Sequence, residues 1–313
     1  MEGSLGLHHI TCVAGDPQEN LDFYLGILGL RLVKRSVNQD DPATYHLFYA
    51  DRQGTPGTAL TFFPYPHLPP HRLGVGQAVE VALAVPQESL GYWEARLARY
   101  GRPLERGERF GLPALLFPDP HGLPLAFTAA EGPGLPWEES PVPPEHQVRG
   151  LLGARILERE VEATLAFLQG VLGYRQRQVG DGAGWILEQE GSFLEVRALP
   201  GGRRGTLGVG GVHHLAFRVR NEAHALALRE TVLAWGLRPT PLIDRFWFRS
   251  VYFREPGGVL LELATEGPGF AVDEDPEALG ERLVLPPWLE GQRPAIEAAL
   301  PPVRLPKGGE ASG

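Results

Sequence analysis

Three residues far apart in this 313-residue chain have side chains suited to one metal ion. Two belong to matching histidine doublets, Leu7-His8-His9-Ile10-Thr11 near the start and Val212-His213-His214-Leu215-Ala216 in the second half. The third is Glu262, in Pro256-Gly257-Gly258-Val259-Leu260-Leu261-Glu262-Leu263. Two imidazoles and one carboxylate on one face of an ion leave coordination positions open. That arrangement suits non-haem Fe(II) and O2 chemistry.

Strand alternation separates the members of each doublet. In a regular strand His8, Ile10 and Cys12 share one face, and His9, Thr11 and Val13 the other. Likewise His213, Leu215, Phe217 and Val219 oppose His214 and Ala216. The fatter apolar face belongs against helices, so His9 and His214 are the expected ligands. His8 and His213 are then expected behind the site, orienting neighbours or handling protons. The plainer readings are a packed histidine in a strand and a surface glutamate on an edge strand. Two doublets at equivalent repeat positions, with a carboxylate on the matching strand, weigh against both.

Four segments share the layout strand, helix, strands. They run from about Leu7 to Pro64, Gln77 to Thr128, Gln147 to Leu199, and Gly211 to Ala264. The first has Leu21, Tyr24, Leu25 and Leu28 at helical spacing with Gly29 after them; Gly101, Gly173 and Gly236 follow the other helices. The expected fold is α+β, with four βαβββ modules forming two curved-sheet cups. Only segments one and four carry ligands, so modules 1 and 4 should pair, as should 2 and 3. Aligning the Pro-Gly turns Pro56-Gly57 and Pro256-Gly257 puts Phe62 opposite Glu262, where a carboxylate would complete a four-ligand site of isomerase type. The Pro-rich stretch Gly132–Pro144 separates an N-terminal domain, 1–135, from a C-terminal one, 145–270. The tail 271–313, with short helices at Ala278–Arg282 and Pro294–Leu300, is expected to pack across the body.

Composition excludes several classes. Net charge is −9 with no basic block, so a nucleic-acid partner is not expected. No apolar run reaches the roughly 20 residues of a membrane span. The single cysteine, Cys12, allows no intrachain disulfide; with no signal-peptide pattern at the start, cytoplasm is the expected location. Cys12 itself reads as core. His46, His67, His71, His121, His146 and His224 show no partner pattern and read as structural or exposed. No nucleophile elbow or phosphate loop is present.

The chain resembles the vicinal oxygen chelate superfamily (glyoxalase, bleomycin resistance, extradiol dioxygenase), and within it the hydroquinone-type ring-cleaving dioxygenases. The likeness rests on the two doublets, Tyr45-His46-Leu47-Phe48-Tyr49-Ala50-Asp51, Gly54-Thr55-Pro56-Gly57-Thr58, and Arg249 through Gly258. Gly269-Phe270 and Asp273-Glu274-Asp275 extend it. The resemblance implies Fe(II), with Mn(II) or another divalent ion as the alternative, held by His9, His214 and Glu262. It implies supporting roles for His8, Thr11, His213, Arg245 and Tyr252. Arg245 would stabilise an anionic oxygen, Tyr252 would hydrogen-bond substrate, and His8 or His213 would act as acid or base. Their plainer roles are an ion-pair partner for Asp244 or another carboxylate (Arg245) and an ordinary strand residue (Tyr252). Phe246, Trp247 and Phe248 would wall an aromatic ring or simply fill the core. The implied activity is Fe(II)-dependent, extradiol-type cleavage of a hydroquinone or catechol-like diol, with both atoms of O2 entering product. The alternatives are a glyoxalase-like metal-dependent lyase or isomerase and a non-catalytic aromatic-binding protein. The expected partners are a small aromatic substrate and O2, and exposed sheet edges are compatible with a homo-oligomer.

Overall fold

Each of the four segments folds into one βαβββ unit. In the computed structural model, which describes residues 2–179 and 184–305, the first contributes β1 (Leu7–Ala14), α1 (Pro17–Leu21), β2 (Arg31–Asn38), β3 (Asp41–Ala50) and β4 (Ala59–Pro64). The second contributes β5 (Gln77–Val85), α2 (Leu90–Arg99), β6 (Glu105–Arg109), β7 (Leu112–Pro118) and β8 (Pro124–Ala129). The third gives β9 (Gly150–Glu158), α3 (Glu162–Gly170), β10 (Arg175–Val179), β11 (Gly184–Gln189) and β12 (Ser192–Ala198). The fourth gives β13 (Val212–Val219), α4 (Glu222–Ala234), β14 (Ile243–Asp244), β15 (Arg249–Arg254) and β16 (Leu260–Thr265).

Two eight-stranded sheets result, ordered β14-β15-β16-β13-β1-β4-β3-β2 and β10-β11-β12-β9-β5-β8-β7-β6. Modules 1 and 4 therefore share one sheet and modules 2 and 3 the other, as the ligand pattern required. The seam of the first is β1 against β13, antiparallel, flanked by β4 and β16 running parallel to their first strands. Each half of the chain supplies one module to each sheet. Residues 180–183 of the third segment and 306–313 of the expected tail lie outside the described residues.

Local sequence explains the first helix. Asp16 accepts hydrogen bonds from the Gln18 and Glu19 amides, and Pro17 occupies the first helical position. The helix then widens into a π turn, Asp22–Ile27, which turns Phe23, Tyr24 and Leu28 into the core. Gly29 ends it at φ 69°, with Ser140 of the linker donating to its carbonyl at 2.7 Å. A Cβ there would lie 2.5 Å from the Ser140 hydroxyl oxygen, so both the left-handed backbone and the close approach require glycine.

One large apolar cluster draws on both sheets and the helices, with Ile10, Cys12, Leu215, Phe217, Leu261 and Leu263 from the first sheet. A second fills the bottom of the first cup with Phe48, Ala216, Trp247, Phe248 and Phe270. Of the tail, Leu285, Leu289, Ile296 and Leu300 join the large core, and Leu279 and Val284 join the cluster in the cup. Lys34, fully buried, is gripped there by Asp273, at 2.7 Å, and by Glu274. The tail helix α5 spans Arg293–Ala299, whereas the helix expected over Ala278–Arg282 is a single 3₁₀ turn at Pro276–Ala278. Gly280 stops it: its backbone, at φ 78°, lies so close to β2 that a Cβ would sit 1.9 Å from the Leu32 carbonyl oxygen. Among the described residues no helix is long and apolar enough to cross a membrane.

Candidate metal centre and its cavity

The two doublets sit on β1 and β13 at the seam, and each interrupts its strand with a bulge. Leu7 pairs with Phe217 and His9 with Ala216, which leaves His8 as an extra residue on β1. Thr11 pairs with His214 and Cys12 with Val212, which leaves His213 extra on β13. A bulge adds one residue and resets the alternation. Leu7 and Ile10 consequently both join the large core, as do Val212 and Leu215. The expectation that His8 shares a face with Ile10 and Cys12, and His213 with Leu215, is corrected here. Both members of each doublet sit on the cup side. His8 lies edge-on to Phe248 at 5.3 Å between centroids, and His213 to Phe63 at 5.5 Å.

His9, His214 and Glu262 converge on the cup side of the first sheet. Nε2 of His9 and Nε2 of His214 are 3.3 Å apart. The Glu262 Oε2 lies 3.2 Å from the first and 2.9 Å from the second. All three residues are buried, Glu262 completely. Far from being a surface residue on an edge strand, Glu262 occupies β16, inside the sheet between β15 and β13.

The surroundings fix how each group presents itself. Nδ1 of His9 meets Nδ1 of His8 at 2.9 Å, and Nδ1 of His214 meets Nδ1 of His213 at 2.8 Å. Burial, reinforced by the adjacent imidazole, lowers His8 and His213 to a pKa of about 3, so both are neutral near pH 7. One ring N–H is shared in each Nδ1–Nδ1 contact, so each doublet fixes the orientation of its ligand imidazole with Nε2 turned toward Glu262. Burial pushes the Glu262 carboxyl up, and the two facing histidines more than offset this, leaving it well below the usual carboxylate range. Its Oε1 accepts a hydrogen bond from the Ser250 hydroxyl, while Oε2 is buried without a hydrogen-bond partner. An orphaned carboxylate oxygen between imidazole nitrogens is costly alone and fits a divalent cation well.

Sheet register corrects the expected counterpart of Glu262. Glu262 pairs with Ala216, two residues beyond His214; Thr61 pairs with Thr11, two residues beyond His9. Thr61, not Phe62, therefore occupies the pseudo-equivalent position. Phe62 faces the opposite side and packs on Tyr24 and Tyr49 in the large core. The conclusion drawn from Phe62 stands on Thr61 instead: no fourth carboxylate enters the cup there. The same symmetry exposes a residue that sequence reading set aside. β3 pairs Phe48 with Thr61 as β15 pairs Tyr252 with Glu262, which makes His46 the counterpart of Ser250. His46 lines the cavity above the triad, with Nε2 2.9 Å from the Thr61 hydroxyl. Aligning Tyr45-His46-Leu47-Phe48 with Arg249-Ser250-Val251-Tyr252 would have found it.

The same cavity is lined by Arg245, Trp247, Phe248 and Tyr252 and measures about 40 Å³. Arg245 reaches Tyr252 OH at 3.3 Å and pairs with Asp40 at 2.9 and 3.2 Å. Its ion-pair partner is thus Asp40 of the β2–β3 turn rather than the adjacent Asp244. Asp244 instead accepts from the Phe246 amide at 2.8 Å and pairs with Arg249. That bond helps hold Phe246 at φ 74°, a strained backbone for a bulky residue. Trp247 and Phe248 form the apolar wall, with the Trp247 indole N–H donating to Asp273 of the tail at 3.2 Å. Phe246 points away, against Trp288.

The second sheet repeats the seam with other chemistry. Val79 and Leu152 are its extra residues, so Glu80 stands where His9 does and Gly153 where His214 does. Glu195 pairs with Arg155 as Glu262 pairs with Ala216. Arg155 binds Glu195 at 2.8 Å and approaches Glu80 at 3.9 Å, while Arg109 also grips Glu80. The carboxylates there are neutralised by guanidinium groups. Among the described residues, His9, His214 and Glu262 are the group whose ligand atoms all lie within 4.8 Å of one another.

Fold, bulged seam and triad together define a class, and comparison with known proteins agrees: the chain belongs to the Glyoxalase/Bleomycin resistance protein/Dioxygenase superfamily, whose family description matches residues 6–127. It is 41% identical over 316 residues to "Putative ring-cleaving dioxygenase MhqA" of Bacillus subtilis, covering 96% of this chain and 99% of that one. It is 34% identical over 305 residues to "Chlorohydroquinone/hydroquinone 1,2-dioxygenase" of Sphingobium indicum, covering 91% and 92%. A crystal structure described as a putative dioxygenase from B. subtilis superposes with a TM-score of 0.92 at 37% identity, covering 98% of this chain and all of that one. With relatives of this kind along nearly its whole length, the chain is a dioxygenase enzyme.

Proposed function

We propose that this protein is an Fe(II)-dependent ring-cleaving dioxygenase of extradiol type. Its substrate would be a hydroquinone or catechol-like diol, and both atoms of O2 would enter the product. The observation that carries the reading is the buried Glu262 Oε2 lying 3.2 and 2.9 Å from two imidazole Nε2 atoms, with a threonine at the fourth quasi-equivalent position. His9, His214 and Glu262 would hold the ion. Bound there, Fe(II) supplies the redox route between an electron-rich ring and O2 and lowers the pKa of a coordinated hydroxyl. Mn(II) is the alternative occupant for the same donor set.

The chain's own groups do the positioning. Ser250 holds the carboxylate, and His8 and His213 hold the ligand imidazoles by their Nδ1 atoms. Trp247, Phe248 and Phe48 offer apolar faces to a planar ring. The Tyr252 hydroxyl stays protonated, because burial and then the Glu262 charge raise its pKa, so it is a hydrogen-bond donor. The Arg245 guanidinium beside it supplies positive charge for an anionic oxygen. The cavity beside the triad, about 40 Å³, admits a few waters. His8 and His213 orient the ligand imidazoles through their Nδ1 atoms. A cytoplasmic location is part of the proposal, supported by a buried free thiol at Cys12.

Thr61 gives a glyoxalase-like site no fourth carboxylate. The test is O2 uptake by anaerobically Fe(II)-loaded enzyme with hydroquinone, methylhydroquinone, chlorinated hydroquinones and catechols. One O2 consumed per ring opened is the expected result. No uptake with any of them, alongside thiol-dependent turnover of a hemithioacetal, would replace this reading with the lyase one.

A further inference from the structure

We propose that a second cavity, on the His213 side of His214, is a carboxylate site that receives the ring-opened product as it leaves the metal centre. This rests on the ring-cleavage reading, which supplies the anion. Insertion of O2 between a hydroxylated ring carbon and its neighbour breaks that C–C bond and the O–O bond. One oxygen atom turns the hydroxylated carbon of hydroquinone into a carboxylic acid, and the other turns the neighbour into an aldehyde. The electrons that reduce O2 come from the ring carbons, so no further reductant is needed. Every hydrogen stays in the product until the acid ionises near pH 7. A neutral diol thus becomes an anion that keeps its second hydroxyl.

The second cavity measures about 170 Å³ and is bordered by His213 and His214. His214 also borders the smaller cavity that holds Arg245 and Tyr252, so the two share a ligand histidine. Sheet register relates them. Arg254 follows Tyr252 by two residues on β15 and shares its face, and it pairs with Leu260 as Tyr252 pairs with Glu262. The Arg254–Leu260 row therefore stands one pleat, about 7 Å, from the Tyr252–Glu262 row. An opened chain can bridge that step with one end still at the metal centre. Charge makes the larger cavity a place for an anion. Arg204 and Arg254 both line it, and no acidic residue does. Arg254 donates to the Gly258 carbonyl at 2.8 Å, and among the described residues neither arginine pairs with a carboxylate. A backbone bridge to Val75 anchors Arg204, and its guanidinium lies against Gly258, where a Cβ would sit 2.5 Å from Nη2. Glu158, whose carboxyl feels the Arg204 charge, keeps its proton near pH 7, because burial and then Glu255 raise its pKa to about 8. Arg245 differs, since Asp40 neutralises it. Gln77 also lines the larger cavity, and its buried Oε1 has no hydrogen-bond partner, so it can accept from the surviving hydroxyl. Val259 and Leu260 offer apolar surface to the carbon chain.

The test begins with calorimetric binding of sorbate, a short unsaturated monocarboxylate, to the Mn(II)-loaded enzyme, with neutral sorbamide as its control. Sorbate is expected to bind at least about tenfold more tightly than sorbamide, and Arg204→Gln or Arg254→Gln to weaken it about tenfold each, the weight of one charged hydrogen bond. Arg203→Gln makes the same charge change one residue outside the cavity and should leave sorbate affinity within about twofold, as a solvated surface charge does. Thermal unfolding verifies that each variant folds, and either single variant suffices if the other does not. Progress curves of O2 uptake by the Fe(II)-loaded enzyme with hydroquinone give the second readout: inhibition by accumulated product should weaken about tenfold in the same two variants. Sorbate affinity unchanged in a folded Arg204→Gln or Arg254→Gln would overturn the site while leaving ring cleavage standing. Turnover of 2,5-dihydroxybenzoate with a KM that depends on these arginines, beside unchanged product inhibition, would assign the site to a carboxylated substrate and overturn the product reading. Arginine-dependent sorbate binding in an enzyme that consumes O2 with no diol would overturn ring cleavage itself, and the product assignment with it.

Discussion

Ser250 touches no metal position and no cavity wall, yet its loss should be felt at the metal. Its hydroxyl is the partner of Glu262 Oε1, and both residues are fully buried. In Ser250→Ala no water replaces the bond, and the carboxylate is free to turn. A hydrogen bond to a charged group contributes about 1.5–3 kcal/mol. Losing the support of a metal ligand typically costs about 10–100-fold in affinity, or roughly 1.4–2.8 kcal/mol at 1.4 kcal/mol per tenfold. The two estimates agree, so a 10–100-fold weaker metal complex is expected. The assay is anaerobic competition for Fe(II) or Mn(II) against a chromophoric chelator at neutral pH. Ser36→Ala is the control: that hydroxyl is buried on β2 with no hydrogen-bond partner, and its loss should leave metal affinity unchanged. Affinity within twofold of wild type in Ser250→Ala would show that Glu262 does not depend on Ser250 and would refute the reasoning.

Thr61→Glu should place a fourth ligand in the cup, tightening metal binding while lowering O2 uptake by roughly 10²-fold or more through loss of the open position. Phe62→Glu, one residue away, should instead destabilise the fold by about 4 kcal/mol or more, because that side chain is buried against Tyr24 and Tyr49; urea denaturation separates the two outcomes. Glu158 gives a pH dependence: burial, then the neighbouring Glu255, raises its pKa from 4.5 to about 8. The folded state holds this proton where the unfolded chain has lost it, so the group's contribution falls as pH rises from about 4.5 to about 8. Glu158→Gln should flatten the decline in Tm across that window, as measured by thermal unfolding at a series of pH values.

Pairing of modules 1 and 4 was legible because ligands at equivalent repeat positions can meet only in one sheet. The convergence of His9, His214 and Glu262 was legible too, although by an argument that needed correction. Alternation assumes a period of two, and His8 and His213 are inserted residues that break it without any local mark such as glycine or proline. Only pairing partners from elsewhere in the chain define a bulge. The Thr61 position was misread for a related reason. Matching Pro-Gly turns fixes the turn, but not the residue at which each following strand joins its neighbour: Ala59 pairs with His9, whereas Glu262 pairs with Ala216. His46 carries no motif of its own, and its meaning comes from Ser250 on the other side of the seam. The Asp40–Arg245 pair joins two loops that no periodicity relates.

The proposed function requires one metal ion on His9, His214 and Glu262. Anomalous diffraction at the iron edge from anaerobically Fe(II)-loaded crystals tests it directly. One peak is expected at the seam of the first sheet, within about 2.0–2.2 Å of His9 Nε2, His214 Nε2 and Glu262 Oε2. Iron bound elsewhere, or at the histidines with Glu262 turned away, would contradict it.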